Sequence, residues 1–502
     1  MQTTNQKAGQ RPSVADVLCV FVLFLGYLCF FSGRFYVSTF GRLGFDSVLY
    51  TLSAGLGGVQ SGQITGWLLK GFLPTIVLTF LTFWLMNRGR KQGKYQGSKS
   101  SGRLSRWCSI LLSLCLTIFA AFDVELVEYA FNQIADTDLY EKYYKDPDKV
   151  KITFPAQKRN LVYIMLESME TTYLSEELGG AMEENLIPEL HRLAEDNLTF
   201  YTPDPSHRYG YYTTKGATWT IGSMVAQTAG IPLKTPTEDV NQYGAAGEAF
   251  LPGVTTLTNI LNDAGYTQML MVGSDATFGG RKAYFEQHGI TEVLDIYSAR
   301  AGGYIPKDYF VWWGMEDLHL FNFAQQMILN LAENAEPFAF TMLTVDTHHV
   351  GGYQCELCQP SASGEPYDQS ISCSSRQVAS FIEWLQAQPF YENTTVIIVG
   401  DHESMDNGYM ERMVDDDYQR LLYNCFINSA ADAKHTEKRQ FSAVDLFPTT
   451  LAAMGCSIEG ERLGLGTNLF CGKKTLTELL GFERFNSELA KASTYYEENF
   501  WK

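Results

Sequence analysis

Three apolar stretches, each long enough to cross a bilayer, lie within the first 122 residues and constrain everything that follows them. Val14 to Phe31 is apolar except for Asp16, Ile64 to Met86 carries only Lys70, and Trp107 to Phe122 carries no charge. A spanning helix needs about 20 such residues, and a backbone in lipid must satisfy its own hydrogen bonds. Between the second and third runs, Asn87 to Arg106 holds Arg88, Arg90, Lys91, Lys94, Lys99, Arg103 and Arg106 and no acid. The bias of such loops toward the cytoplasm puts this one inside, the amino terminus inside, and everything after Phe122 outside. A first run cleaved as a signal peptide and an added interfacial helix within Phe45 to Val59 are the competing readings.

Charge divides the chain at the same place. Residues 1–125 hold 12 Lys+Arg against 4 Asp+Glu, and the remainder holds 26 against 52. So acidic a body argues against nucleic acid as its partner. A chain of 502 residues also exceeds what one core normally fills. The expected parts are an anchor over 1–123 (helices near 14–31, 64–86 and 107–122), a juxtamembrane linker helix over 124–150, and an extracytoplasmic domain over 151–502. Asp146-Pro147 closes the linker, because a residue before proline avoids the helical region. Cys19, Cys29, Cys108 and Cys115 lie in the apolar runs, whereas Cys355, Cys358, Cys373, Cys425, Cys456 and Cys471 lie in the body. Six cysteines suit disulfides in an oxidising compartment, with Cys373 in one and Cys456 joined to Cys471 in another.

The body alternates strand and helix signals. Asn160 to Leu166, Thr267 to Val272, Phe338 to Val345 and Val396 to Val399 are short apolar runs that read as buried strands. Helical spacing appears over 187–198, 254–264, 320–333 and 374–388. Such alternation predicts an α/β domain with a mostly parallel sheet sandwiched by helices. Ligands bind beyond the carboxyl ends of the strands in such sheets, and several of these ends are polar. They read Glu167, Gly273-Ser-Asp275, Asp346-Thr-His-His349 and Asp401-His402. An acid, an Asp-His pair and a hydroxyl can hold one Mn²⁺, Mg²⁺ or Zn²⁺, leaving Arg281 and a histidine for an anionic group. The hydroxyl comes from Gly216-Ala-Thr-Trp-Thr-Ile, where Thr218 and Thr220 sit near a helix start. The Cys355-x-x-Cys358 pair has the spacing of half a metal knuckle, but no second pair of that spacing exists.

These motifs together resemble the membrane phosphoglycerol transferases, which include the lipoteichoic acid synthases and belong to the sulfatase branch of the alkaline phosphatase superfamily. The residues that carry the resemblance are Asn160-Leu-Val-Tyr-Ile-Met-Leu-Glu-Ser, Gly216-Ala-Thr-Trp-Thr-Ile, Asp346-Thr-His-His, Gly400-Asp-His-Glu and Leu463-Gly-Leu-Gly-Thr-Asn-Leu-Phe. The resemblance spans about residues 150–475. It implies Mn²⁺ (or Mg²⁺) held by Glu167, Thr220, Asp401 and His402, with Thr220 as nucleophile by its distance from Gly230 and Thr218 as the alternative. Arg281, His348, Asp275 and Phe278 are then the expected substrate-binding residues.

The implied reaction moves glycerol phosphate from phosphatidylglycerol, through a threonine ester, to a hydroxyl of an envelope glycan or of polyglycerol phosphate. The implied setting is the bacterial plasma membrane. A phosphoethanolamine transferase or phosphodiesterase with the same site, and a catalytically inactive membrane-anchored binding protein, are the alternatives. Phe278-Gly-Gly-Arg281 lacks the tryptophan of the family's Phe-Trp-Asn-Arg pattern, and Val350 replaces the proline that commonly follows the histidine motif. True sulfatase chemistry is disfavoured, since Cys358-Gln-Pro-Ser-Ala lacks the arginine of the Cys-x-Pro-x-Arg context.

Overall fold

The computed structural model describes residues 13–41, 44–46, 48–49, 61–91, 99–203, 208–234, 249–334, 336–415 and 417–502. The chain divides into two compact units, one within residues 1–130 and one from Phe131 to Lys502.

In the first unit, Val14–Phe40, Gly62–Leu85 and Arg106–Asp123 are long and apolar enough to cross a membrane. The first helix continues nine residues past the apolar run, because Arg34 is neutralised by Asp123 at 3.3 Å. Asp16, the acid inside that run, closes a capping box with Ser13 and meets Arg106 at 3.0 Å. Gly26 lets the Val14–Phe40 and Lys99–Asp123 helices touch: a Cβ there would stand 2.8 Å from the Ser113 Cα. Lys70 sits in a single π-helical stretch, Leu68–Phe72. The expected basic loop is narrower than its charge pattern, since helices run to Lys91 and from Lys99. Residues 50–60 and 92–98, which take in most of the interfacial-helix alternative and Lys94, lie outside the described residues.

The second unit is built on one six-stranded sheet. Its strands are β1 (Asn160–Leu166), β2 (Thr267–Val272), β3 (Glu292–Leu294), β4 (Phe338–Leu343), β5 (Thr394–Gly400) and β6 (Asn424–Ile427). Their spatial order is β3-β2-β4-β1-β5-β6, all parallel except β6, which runs against β5. Every residue of β1 and β5 is buried, as a strand covered on both faces requires. Leu161, Tyr163 and Met165 face one core with the Thr220–Ala229 and Ala443–Ala453 helices. Val162, Ile164 and Leu166 face the other, with the Pro188–Asp196, Asp317–Ala332 and Pro366–Gln386 helices. Burying side chains of this size contributes about 1.5–3 kcal/mol each.

Residues 124–150 contain the helices Leu126–Ile134 and Leu139–Tyr143 and a 3₁₀ turn, Pro147–Lys149. Tyr140 is fully buried, edge-on to Tyr496 at 5.5 Å and to Phe500 at 5.8 Å, so Leu139–Tyr143 joins the core, whereas no residue of Leu126–Ile134 is buried.

The expected disulfides are not formed, because all ten cysteines are free. Cys456 is an apolar core residue, and the Cys471 thiol donates to Asn468 O within its own turn at 2.9 Å. Cys373 faces Cys355 with the sulfurs 3.7 Å apart.

Candidate active site

The parallel register brings the polar strand ends together. Leu166 is paired with Gly400 and Met165 with Leu343, so Glu167 and Asp401 leave adjacent strands side by side. Gly400 is required there, since a Cβ would lie 2.0 Å from Met169 O. Glu167, Asp401 and His402 are almost wholly buried, and one ligand atom from each falls within 4.8 Å of the others.

Hydrogen bonds fix each group. Asp401 Oδ1 accepts from Ser168 N and His402 N, both at 2.7 Å, while Oδ2 makes no hydrogen bond. Ser168 adopts φ 52°, a left-handed conformation that costs a non-glycine residue about 1 kcal/mol or more and is characteristic of functional sites. His402 Nδ1 donates to Glu403 O at 2.8 Å, which leaves Nε2 facing Asp401 Oδ2 at 3.3 Å and Glu167 Oε1 at 3.5 Å. A ring lone pair aimed at two buried carboxylates is repulsive unless a cation or a proton lies between them. The set therefore fits one divalent cation: two carboxylates, that of Asp401 through its orphaned Oδ2, and one imidazole nitrogen. Burial, then the Glu167 charge, pushes the Asp401 carboxyl up to about 7. Burial opposes the charged form of His402, but Asp401 and Glu167 still hold its imidazole above the ordinary value.

Thr220 is the first residue of its helix, and its Oγ1 lies 3.3 Å from His402 Nε2. The helix runs to Ala229 and is capped by Gly230. Its buried polar face grips the end of β5. Ser223 Oγ donates to the Asp401 carbonyl, and Gln227 Nε2 donates to Ser223 Oγ at 2.9 Å. Thr218 lies in the bend before the helix.

A second group adjoins the first. Arg281 is buried, its Nη2 donating to Ser274 Oγ at 3.0 Å and Asp275 O at 2.7 Å, and its Nε to Phe278 O at 3.0 Å. The Phe278 ring lies 5.8 Å from the Arg281 guanidinium and 6.0 Å from the Trp313 ring, and Trp313 lies 4.5 Å from the His348 ring. Burial pushes the His348 imidazole down to about 4, and the nearby His402 and Arg281 charges add to that lowering. The Asp275 carboxylate closes a turn on Thr277, accepting from its N at 2.8 Å and its Oγ1 at 2.7 Å. Its backbone carbonyl, not its side chain, anchors Arg281.

Asp346, one of the polar strand ends, is turned instead toward the start of the Asp317–Ala332 helix. It accepts from Asp317 N at 3.2 Å and returns its own N–H to the Asp317 carboxylate at 3.1 Å. Burial raises both acids.

Sequence reasoning missed four contributors. Trp313 comes from a turn between β3 and β4 and stands beside Phe278, whose own motif has no tryptophan; the Trp312-Trp313 doublet before Gly314 was the available signal. The buried Glu170 pairs with the partly exposed Arg420 at 2.8 and 2.5 Å, and Glu170 also accepts from Ser404 N at 2.8 Å, which holds the turn after His402. Ser223 carried no signal beyond its place in an apolar helix.

A family model described as sulfatase matches residues 159–456, more than half of the chain, and the chain belongs to that family. Its fold is the α/β fold of the alkaline phosphatase superfamily, whose members depend on metal ions. The chain is similar to phosphoglycerol transferase I of Salmonella choleraesuis (strain SC-B67), with 28% identity over 440 residues, 85% of this chain and 53% of that protein. It thus spans about half the length of the curated relatives it matches. Among solved structures it is similar to the lipoteichoic acid synthase LtaP from Listeria monocytogenes, with 16% identity, a TM-score of 0.47, and 67% of this chain and 80% of that one covered. It is also similar to the lipooligosaccharide phosphoethanolamine transferase A (EptA) from Neisseria meningitidis, with 15% identity, a TM-score of 0.48, and coverage of 89% and 85%.

Proposed function

We propose that this protein is a metal-dependent phosphoglycerol transferase of the bacterial plasma membrane, using phosphatidylglycerol as donor and an envelope hydroxyl as acceptor. The observation that carries the proposal is the approach of Thr220 Oγ1 to a buried Glu167, Asp401 and His402 cluster. The names of the curated relatives support the transferred group. Residues 1–123 would be the multi-pass anchor, 124–150 the juxtamembrane segment and 151–502 the extracytoplasmic catalytic domain, with the basic residues of 87–106 holding their loop inside.

Glu167, Asp401, His402 and Thr220 would hold Mn²⁺ or Mg²⁺, which lowers the pKa of a bound hydroxyl and offsets phosphate charge. Thr220 Oγ1 attacks the phosphorus, the phosphorus–oxygen bond to diacylglycerol breaks, and the threonine proton ends on the departing oxygen. The acceptor hydroxyl then attacks the glycerophospho-threonine ester, Thr220 leaves with its proton restored, and the product carries the new phosphodiester. His348 is neutral at neutral pH and its Nδ1 donates to His349 O at 2.7 Å, so Nε2 can accept the incoming hydroxyl proton. Arg281, braced by Ser274 and Phe278, pairs with the phosphate, and Phe278 and Trp313 flank the glycerol.

The test is release of diacylglycerol from labelled phosphatidylglycerol by the full-length protein with Mn²⁺, alongside Thr220→Ala. The proposal expects release by the wild type and none by the variant, with a glycerophosphate adduct on the Gly216 to Ser223 peptide. Release by Thr220→Ala would remove Thr220 from its role. Turnover of phosphatidylethanolamine alone would replace the donor, and no turnover of either lipid would leave a binding protein.

A further inference from the structure

Beyond the strand ends, the described residues contain a second group of side chains with metal-ligand chemistry, made of Cys355, Cys358 and Cys373. Cys355 and Cys358 bracket a tight turn in the segment after β4, closed by Cys358 N donating to Cys355 O at 3.1 Å. Cys373 lies on the Pro366–Gln386 helix. The Cys355 sulfur is 3.8 Å from that of Cys358 and 3.7 Å from that of Cys373, and all three sulfurs lie within 4.8 Å of one another. Two thiolates bound to zinc at about 2.3 Å with a tetrahedral angle between them stand about 3.8 Å apart. A disulfide would place them at about 2.0 Å.

The surroundings favour one thiolate, on Cys355, while contact with Cys355 and burial push the Cys358 and Cys373 thiols up. Contacts with Cys358 and Cys373, together with backbone N–H groups of Leu357 and Cys358, stabilise the ionised form of Cys355. Arg376 brings a positive charge beside Cys373, and its Nη2 is buried with no hydrogen bond. The Gln377 side-chain amide lies 3.6 Å from the Cys373 sulfur and 3.9 Å from that of Cys355, and Gln377, more than nine-tenths buried, has an Oε1 without a partner. Because the two ends of an amide exchange by a half-turn, that oxygen can equally face the sulfurs.

We propose that Cys355, Cys358 and Cys373 form a structural site for one soft divalent cation, Zn²⁺ by preference, with a fourth corner facing Gln377. Binding releases the thiol protons to solvent and leaves three thiolates on the ion, whose excess negative charge Arg376 offsets. The ion would pin the segment that follows His348 and His349 onto the Pro366–Gln386 helix, and would shield three clustered thiols from oxidation.

The test uses the full-length protein, stripped with a chelator under reducing conditions and reloaded with Co²⁺ or Zn²⁺. The expected result is a sulfur-to-cobalt charge-transfer absorption and one Zn²⁺ per chain that survive Asp401→Asn, which addresses the other cluster. Cys358→Ser and Cys373→Ser should each lose that absorption and that equivalent. Cys358 is half-exposed in a turn, so its variant keeps the fold and separates metal loss from unfolding. The proposal is overturned if the reloaded wild type shows no sulfur-to-cobalt absorption, if the absorption persists in both serine variants, or if mass mapping of protein purified without reductant finds two of the three cysteines joined.

Discussion

If burial, and then the Glu167 charge beside it, raises Asp401, removing the cation must make the protein's stability and its metal affinity depend on pH in a defined direction. Its carboxyl moves from 3.8 to about 7, roughly three units or about 4 kcal/mol between its two protonation states. A carboxyl raised in the folded state stabilises the fold fully below its unfolded pKa, and that contribution is lost as pH rises through its folded value. Metal-stripped protein should therefore lose about 4 kcal/mol from this group between about pH 4 and pH 7. Asp317 and Asp445, each also pushed up to about 7 by burial, act with the same sign whether or not a cation is bound. The difference between stripped and Mn²⁺-loaded protein isolates the cluster.

Mn²⁺ must displace the Asp401 proton, so its affinity should rise about tenfold per pH unit from about 5 to 7 and then level off. The proton that the acids favour on His402 steepens the rise. Calorimetric titration of the full chain in detergent, in two buffers of different ionisation enthalpy, counts the protons released, and thermal unfolding of both forms follows the stability. Mn²⁺ affinity that is flat across that range, with no proton release, would refute the reasoning. Asp401→Asn should abolish this group's stability effect and leave only the His402 part of the affinity rise.

Other perturbations test the frame around the cluster. Arg281→Lys gives up the fork to Ser274, Asp275 and Phe278; at about 1 kcal/mol per lost bond, KM for the donor lipid should rise roughly tenfold to a hundredfold while Mn²⁺ affinity holds. Glu170→Ala removes the buried carboxylate that pairs with the partly exposed Arg420 guanidinium and should cost about 1–3 kcal/mol in thermal or denaturant unfolding, and the Glu170→Leu, Arg420→Met pair should restore much of it. Gly26→Val drives a side chain into Ser113 and should cost about 1–3 kcal/mol, seen as a lower unfolding midpoint of the anchor with unchanged Mn²⁺ binding.

Much of this organisation was legible in the residues. The apolar runs give the three long helices, and the four strands fall where β-branched and aliphatic runs predict them. Helix starts were read less well. The Pro366–Gln386 helix begins eight residues before the 374–388 reading, because its first turns carry Asp368, Ser370 and Ser372, which dilute the apolar period. The antiparallel β6 was missed because Asn424 and Cys425 interrupt an already short run.

Glu167, Asp401 and His402 could be grouped from sequence alone because Glu167 and the Asp401-His402 pair directly follow strands, and parallel strands deliver their ends to one edge. Local patterning is short-ranged: it sets backbone preference and the face each residue takes. It does not say which distant loop fills a given gap. The Glu170–Arg420 pair joins residues 250 apart, Asp346 turned to a helix start and away from the cation site, and Trp313 reached Phe278 from another turn. The three thiols met only when the 355–358 turn folded onto Cys373. Sequence determined which side chains stand at the strand ends, and tertiary packing decided which of them face one another, because register and loop closure set distances that no local run of residues encodes.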